Sequence, residues 1–498
     1  MKEKILDQNN LNLPNNIKNK AIKSLKWSFL NEFIASLFPP IVTLILARLL
    51  IPSDFGIIAI ATIFISLAKL FQDFGLAKAL IQRDKDVKES ANVVFWGNFI
   101  LSFLIFLTLF FIAPIIADIF REARVIFVLR VLSLQIIFVS LSSVQIALFQ
   151  REFYFKKIFF NRLISSFVPG FVSIPLAFLN FGVWAIVLGS LAGSFIQMVF
   201  FWFTSSWRPN MSFDKILARQ LFGFGGWILL ETFFAWLIVQ GESMAVGYFL
   251  DIKELGIYQM GATFVLLVFG TVFNSIIPIL YSTFSRLQKY DKELREYFLK
   301  ITKLVSALSL PMGMGLTIIS VPFSAIVFNE KWSGIAQVIL ILSLVQSVSW
   351  LICANSGVMR AIGRPDINSK LLGFFVVISV PIYIVSAPFG IFTFCLARLG
   401  LETVYVFLNF IVVKKVLKIS FQPFQLIGYA KIIIAVLLMG SVAHALVVLF
   451  SPFEGIASLY KIFIITFTGA ISYIGFLYLF DRSIINQSKE LLITALKR

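Results

Sequence analysis

AVGYFLDIKELGIYQMGATF, residues 245–264, repeats the plan of ILARLLIPSDFGIIAIATIF, residues 45–64, at an offset of 200 residues. Leu50 falls on Leu250, Asp54 on Glu254, Gly56 on Gly256, Ile57 on Ile257 and Phe64 on Phe264. Upstream, Trp27 falls on Trp227, Phe33 on Phe233, Ala35 on Ala235 and Leu37 on Leu237, so two hydrophobic segments recur together with the turn that joins them. A duplicated bundle of membrane helices is the simplest reading.

Composition fixes the solvent. Of the 498 residues, 59% are hydrophobic and 14% charged, with 57 phenylalanines and a mean hydropathy of +0.93. These values exclude a water-soluble domain. The apolar segments are apolar all round and far longer than the roughly ten residues of a membrane β-strand, so they read as helices. With about 20 residues per crossing, the chain holds about fourteen spans. The expected class is therefore an all-α polytopic membrane protein of two six-helix lobes in parallel pseudo-two-fold repeat, plus two C-terminal helices. Its divisions are a cytoplasmic tail over 1–25, an N-lobe of six spans over 26–205, a cytoplasmic linker over 206–220, a C-lobe over 221–413, spans 13 and 14 over 414–480, and a cytoplasmic tail over 481–498. Secondary transporters are commonly built from such repeats, with the substrate site between the halves.

Short loops rich in Lys and Arg are retained on the cytoplasmic side. With the N-terminus inside, most of the 43 Lys and Arg fall in the tails and cytoplasmic loops. The other face holds Arg48, Arg121, Arg124, Arg130, Lys253, Lys331 and Lys461, which predicts that both termini are cytoplasmic. The net charge of +18 is thus topological, and attraction to anionic membrane lipids accounts for it without nucleic acid. The mixed-charge stretch RLQKYDKELREYFLKITK, 286–303, has helical apolar spacing and predicts an interfacial helix linking span 8, expected over 256–283, to span 9.

Several chemistries lack material. Cys353 and Cys395 are the only cysteines and His444 the only histidine, so no disulfide scaffold, two-histidine metal motif or Ser-His-Asp triad can be assembled. The cluster GFGGW at 223–227 lacks the Lys-Ser/Thr of a phosphate loop and suits close helix packing instead. No catalytic residue, metal or cofactor is expected.

Ionisable groups inside the apolar segments are then the candidates, because each is expensive in lipid unless it meets a partner or a wet cavity. Helix 1 carries Glu32, then Pro39 and Pro40, then Arg48 at its far end. The paired prolines predict a bend, read equally as a hinge or as a static kink. Helix 2 carries Lys69 and Asp73 four residues apart, on one face. By a rise of about 1.5 Å per residue, Glu32 and Asp73 lie at similar depth, roughly 9 and 10 Å from the cytoplasmic end, and with Lys69 they are expected to form a cavity network. The second half is charged differently: Glu231 and Glu242 in the seventh span, expected over 221–249, and Arg398 and Glu402 in the twelfth, expected over 391–413. Arg398 and Glu402 are either a self-satisfied structural pair, or a cavity arginine for an anionic substrate beside an acid that carries a coupling cation.

The run LARLLIPSDFGIIAIATIFISLAKLFQDFGLAKALIQR (46–83), FW (95–96), LFQREFYFKK (148–157) and LNFGVWAIVLGSLAGS (179–194) together resemble the polysaccharide exporters of the MATE/MurJ-like superfamily. The similarity points to the Wzx-type flippase branch of the colanic acid and teichuronic acid exporters. The resemblance is strongest over helices 1–6. It implies a monomeric bacterial inner-membrane protein that moves undecaprenyl-diphosphate-linked oligosaccharide to the periplasmic leaflet by alternating access. Two six-helix lobes then flank a cationic cavity, with helices 13 and 14 outside the core. It further implies coupling to a H+ or Na+ gradient, and polysaccharide polymerase and glycosyltransferases as functional partners. Arg48 matches the recurrent arginine before the Pro-x-Asp-Phe-Gly turn, where turn anchoring suits it as well as substrate contact. The rival classes are a MATE-type cation-coupled drug antiporter and a membrane-integral polysaccharide polymerase. The second calls for an extended periplasmic loop, and the loops here are short.

Overall fold

The structure, a computed structural model, describes residues 38–72, 80–81, 86–210, 226–274, 276–419, 423–450 and 457–482. Among them every regular element is helical. Twelve of these helices are long and apolar enough to cross a membrane, and Phe38–Leu49 is a shorter apolar helix. The outward faces suit lipid rather than water: Phe203 is 84% exposed and Phe171 74%, large rings that would form a costly patch in water. The chain divides into two compact units, residues 1–50 with 60–233 and residues 51–59 with 234–498.

In the first unit, α1 (Phe38–Leu49) is followed after two residues by α2 (Pro52–Gln72). Pro52 stands at the first helical position, where its missing N–H has no intrahelical acceptor to lose. Four spans follow: α3 (Val87–Ile119), the pair α4 (Arg124–Leu132) and α5 (Leu134–Arg151), α6 (Phe155–Phe178) and α7 (Val183–Thr204). Gly189 and Gly193 of α7 meet Ser173 and Pro169 of α6 so closely that a Cβ at either glycine would run into them. This is the small-residue packing that membrane helices use in place of a hydrophobic drive. Phe95 of α3 lies edge-on to Trp96, Trp202 and Trp207. Trp96 donates to Asn210 O at 2.9 Å and Asn210 N donates to Asn92 Oδ1 at 3.0 Å, so α3 pins the irregular segment leaving α7. The expected linker at 206–220 is described only over 206–210.

The second unit takes α8 (Gly226–Phe249) from Phe234 onward and continues with α9 (Ile252–Phe273). Asp251 caps α9 by accepting from Glu254 N at 2.7 Å, an N-cap that satisfies a donor the helix leaves open. The turn opening α2 is grouped with this unit, and its contact with α9 is reciprocal at the repeat offset. A Cβ on Gly56 would strike the carbonyl of Ile252, and one on Gly256 the carbonyl of Pro52. The duplicated glycines exist because backbone touches backbone there.

The span expected over 256–283 is not continuous: α9 ends at Phe273, and α10 (Ile277–Leu287) starts with a proline in its first turn, since Pro278 cannot continue the hydrogen-bond ladder. Nor is 286–303 a separate interfacial helix. Residues 291–303 open α11 (Asp291–Val327), a 37-residue helix whose polar first turns run straight into the span. The remaining elements are α12 (Ile335–Ser349), a 3₁₀ turn at Trp350–Ile352, α13 (Cys353–Ala361), α14 (Pro365–Ser386), α15 (Ile391–Val416), α16 (Pro423–Leu449) and α17 (Ala457–Phe480). Glycines with φ of 95° and 98°, Gly334 and Gly390, launch α12 and α15, a region that favours glycine. The last two helices, α16 and α17, pack on each other and on α11, tied by Tyr473 Oη donating to Ala307 O at 2.7 Å and by a 2.7 Å ion pair between Lys303 and Asp481.

Candidate functional site

Within the second unit, α8, α9, α12, α14 and α15 enclose a cavity of about 290 Å³. Glu242 of α8, 7% exposed, and Tyr258 of α9, 1% exposed, line it, and Tyr383 of α14, 2% exposed, reaches Glu242 from outside the lining. Arg398 of α15 places Nε 2.9 Å from Glu242 Oε1. That N–H is not aimed at the oxygen, so the contact is ionic rather than a hydrogen bond. Arg398 Nη1 donates to Tyr258 Oη at 2.6 Å, Tyr258 Oη donates to Glu242 Oε2 at 2.8 Å, and Tyr383 Oη donates to Glu242 Oε1 at 3.1 Å. One carboxylate thus receives two phenols and a guanidinium from three other helices. A buried charge is tolerated on these terms: it is paired and its lone pairs are occupied.

Glu402, one turn beyond Arg398, lines the same cavity with Ser349, Gln346, Gln259 and Tyr405. Ser243 Oγ donates to Gln259 Oε1 at 3.1 Å. Arg398 is therefore not a self-contained pair with Glu402: its ion pair is with Glu242. On a helix, residues four apart are neighbours, but which partner an arginine takes is set by what the facing helices present.

The other expected residues fall elsewhere. Arg48 is exposed at the end of α1 and Lys69 at the end of α2, and neither lines this cavity. Glu32 and Asp73 lie outside the described residues, as does the side chain of Glu231. Pro39 and Pro40 sit in the first described turn of α1, where Thr43 Oγ1 donates to Pro39 O at 2.9 Å. The segment that would define their bend lies outside the described residues. Sequence reasoning missed Tyr258, Tyr383, Gln240, Gln259 and Gln346. A signal for three of them was present in the repeat: Gln240, Tyr258 and Gln259 stand where the first copy has Pro40, Ile58 and Ala59, and Glu242 stands where it has Val42. The polar departures of one copy from the other mark the site.

A second cavity, of about 420 Å³, lies between α11 and the pair α16 and α17. Its walls include Leu308, Met312, Leu316, Met439, Ile465 and Ile474, with Thr466 and Tyr473 among them, so it is predominantly apolar.

A family model described as polysaccharide biosynthesis protein matches residues 45–337. The teichuronic acid biosynthesis protein TuaB of Bacillus subtilis is 24% identical over 303 residues, which cover 60% of this chain and 62% of that protein's length. The lipopolysaccharide biosynthesis protein WzxC of Escherichia coli is 24% identical over 421 residues, 82% of this chain and 84% of that one. Among solved structures, the lipid II flippase MurJ in an inward closed conformation superposes with a TM-score of 0.75 at 16% identity, covering 93% of this chain and 100% of that chain. An inward-facing multidrug resistance MATE family transporter of the MOP superfamily gives 0.64 at 13% identity, over 77% and 94%. These likenesses establish the fold as that of the MurJ- and MATE-type helical membrane proteins.

Proposed function

The chain belongs to the polysaccharide biosynthesis protein family, and from that premise we propose that it is a flippase for polyprenyl-diphosphate-linked oligosaccharide, working across the bacterial inner membrane with both termini cytoplasmic. The observation that carries the reading is the ion-paired, polar-lined cavity held among apolar helices. Membrane proteins keep charges at such depth for transport pathways, because each is expensive in lipid unless it has a partner or water. The names of the relatives, which belong to teichuronic acid and lipopolysaccharide biosynthesis, support a glycan cargo. The apolar crevice between α11, α16 and α17 supports a place for isoprenoid chain, and the cavity beside Arg398 supports a place for polar cargo.

Alternating exposure of the polar site to the two leaflets would move the cargo without opening a leak, and a H+ or Na+ gradient is the proposed drive. Polysaccharide polymerase and glycosyltransferases are the proposed functional partners, supplying and consuming the lipid-linked unit. A drug antiporter shares the fold and is the rival. Deleting the gene in its own host is expected to cause accumulation of lipid-linked oligosaccharide on the cytoplasmic side, reversed by the intact gene. A deletion strain that exports its polysaccharide normally but becomes sensitive to amphiphilic cations would overturn the flippase in favour of the antiporter.

A further inference from the structure

We propose that the cavity of the second unit is a subsite for a single neutral sugar ring, and not the place where the diphosphate is held. The proposal rests on the flippase reading and adds the chemical class that this site accepts.

Charge argues first. The one guanidinium of the cavity is committed: Arg398 lies 2.9 Å from Glu242 and donates to Tyr258. Glu402 adds a second carboxyl to the same wall. Two carboxyl groups against one guanidinium leave no positive charge over for a phosphate. At an effective dielectric of about 20, two unit charges about 4 Å apart interact by roughly 4 kcal/mol, and Arg398 already directs that attraction at Glu242, so none is left over for a phosphate.

The lining argues second. Three glutamines converge from three helices, Gln240 on α8, Gln259 on α9 and Gln346 on α12. Each amide offers two donors and one acceptor, the set that answers a sugar hydroxyl, which both gives and takes a hydrogen bond. Ser243 occupies the Gln259 oxygen, leaving its NH2 group available, and the side-chain amides of Gln240 and Gln346 have no hydrogen-bond partner among the described residues. Amides in such a place must meet water or a ligand, since an unpaired amide in an apolar setting costs about 1–3 kcal/mol. Phe375 and Tyr405, ring centroids 4.2 Å apart, form an aromatic wall of the cavity, a surface suited to the C–H face of a pyranose.

Size argues third. A cavity of about 290 Å³ lies at the foot of the roughly 300–1,000 Å³ range of small-molecule sites. It has room for one ring and its water, not for a whole repeat unit.

The test uses the purified full chain in phospholipid nanodiscs, because glycoside detergents would compete. Saturation-transfer NMR with methyl glucoside, methyl galactoside, methyl glucuronide and inorganic pyrophosphate as probes is expected to show transfer to the ring protons of at least one neutral methyl hexoside. The glucuronide should receive at least threefold less, and excess pyrophosphate should not displace the hexoside. The Gln259→Leu/Gln346→Leu double variant is expected to reduce transfer at least fivefold. Should it fail to fold, Gln346→Asn, which keeps the amide but withdraws it by one methylene, is expected to reduce transfer at least twofold. Absence of transfer from every neutral hexoside, or transfer that the variants leave unchanged, would overturn the subsite. So would pyrophosphate binding that is lost in Arg398→Ala, which would make the cavity an anion site. Lipid-linked oligosaccharide accumulation in the deletion strain is read separately: normal flipping with no hexoside binding removes only the subsite, and hexoside binding with no flipping removes only the flippase.

Discussion

Arg398 illustrates how a buried ion pair is more costly to break than to lack. Removing the guanidinium leaves Glu242 buried with two phenols and no countercharge, a loss of about 3–5 kcal/mol by analogy with other buried pairs, whereas replacing both partners by apolar groups is often neutral. Arg398→Met is therefore expected to lower the thermal unfolding midpoint of the purified protein sharply. Adding Glu242→Met should restore most of the loss. A double variant as unstable as the sum of the two singles would show that the pair has no coupling, contrary to the 2.9 Å geometry. Glu402 differs from Glu242 in lining the cavity without that ion pair. Glu402→Gln is accordingly expected to leave the unfolding midpoint within a degree or two while changing export of polysaccharide in the complemented deletion strain. Unchanged export would remove Glu402 from the transport path.

At the scale of elements, the reciprocal meeting of Gly56 with Ile252 and of Gly256 with Pro52 is the place where the duplication becomes a physical contact. Each glycine faces a backbone carbonyl, which cannot swing aside as a side chain can. Gly56→Ala and Gly256→Ala should each reduce the yield of monodisperse protein severalfold, by size-exclusion chromatography of a fluorescent fusion. Gly241→Ala, where nothing lies within 4 Å, should match the parent. Equal yields for all three would mean that the crossing relaxes without strain. The fresh helix start at Ile277 also has a local cause, since a proline stands in its first turn. The 3₁₀ turn at Trp350–Ile352 separates α12 from α13 one residue after Ser349, which lines the cavity. Irregular backbone at membrane depth is tolerated where protein or a wet cavity surrounds it.

For the whole molecule, the proposed parallel duplication of six spans predicts that corresponding loops face the same side, six being an even number of crossings. Cysteines placed at Lys88 and at Glu296 are expected to react with a membrane-impermeant maleimide together, in inverted vesicles and not in intact cells. Background should be low, because Cys395 is buried and Cys353 half-buried. Labelling from opposite sides would refute the parallel duplication. The repeat was legible because duplication leaves identities at a fixed offset, and the membrane class because hydrocarbon demands long apolar runs.

What the amino-acid order determined, then, was the solvent, the helical class and the 200-residue repeat, together with the candidates Arg398 and Glu402. What it could not determine was rotation. In a membrane the lipid is as apolar as the core, so no amphipathic stripe tells which face of a helix turns inward. Whether Arg398 meets Glu402 on its own helix or Glu242 on another depended on that rotation, and so did the meeting of three glutamines from three helices. Only tertiary packing decided both, because it alone sets which polar atoms lie within a few ångströms of one another.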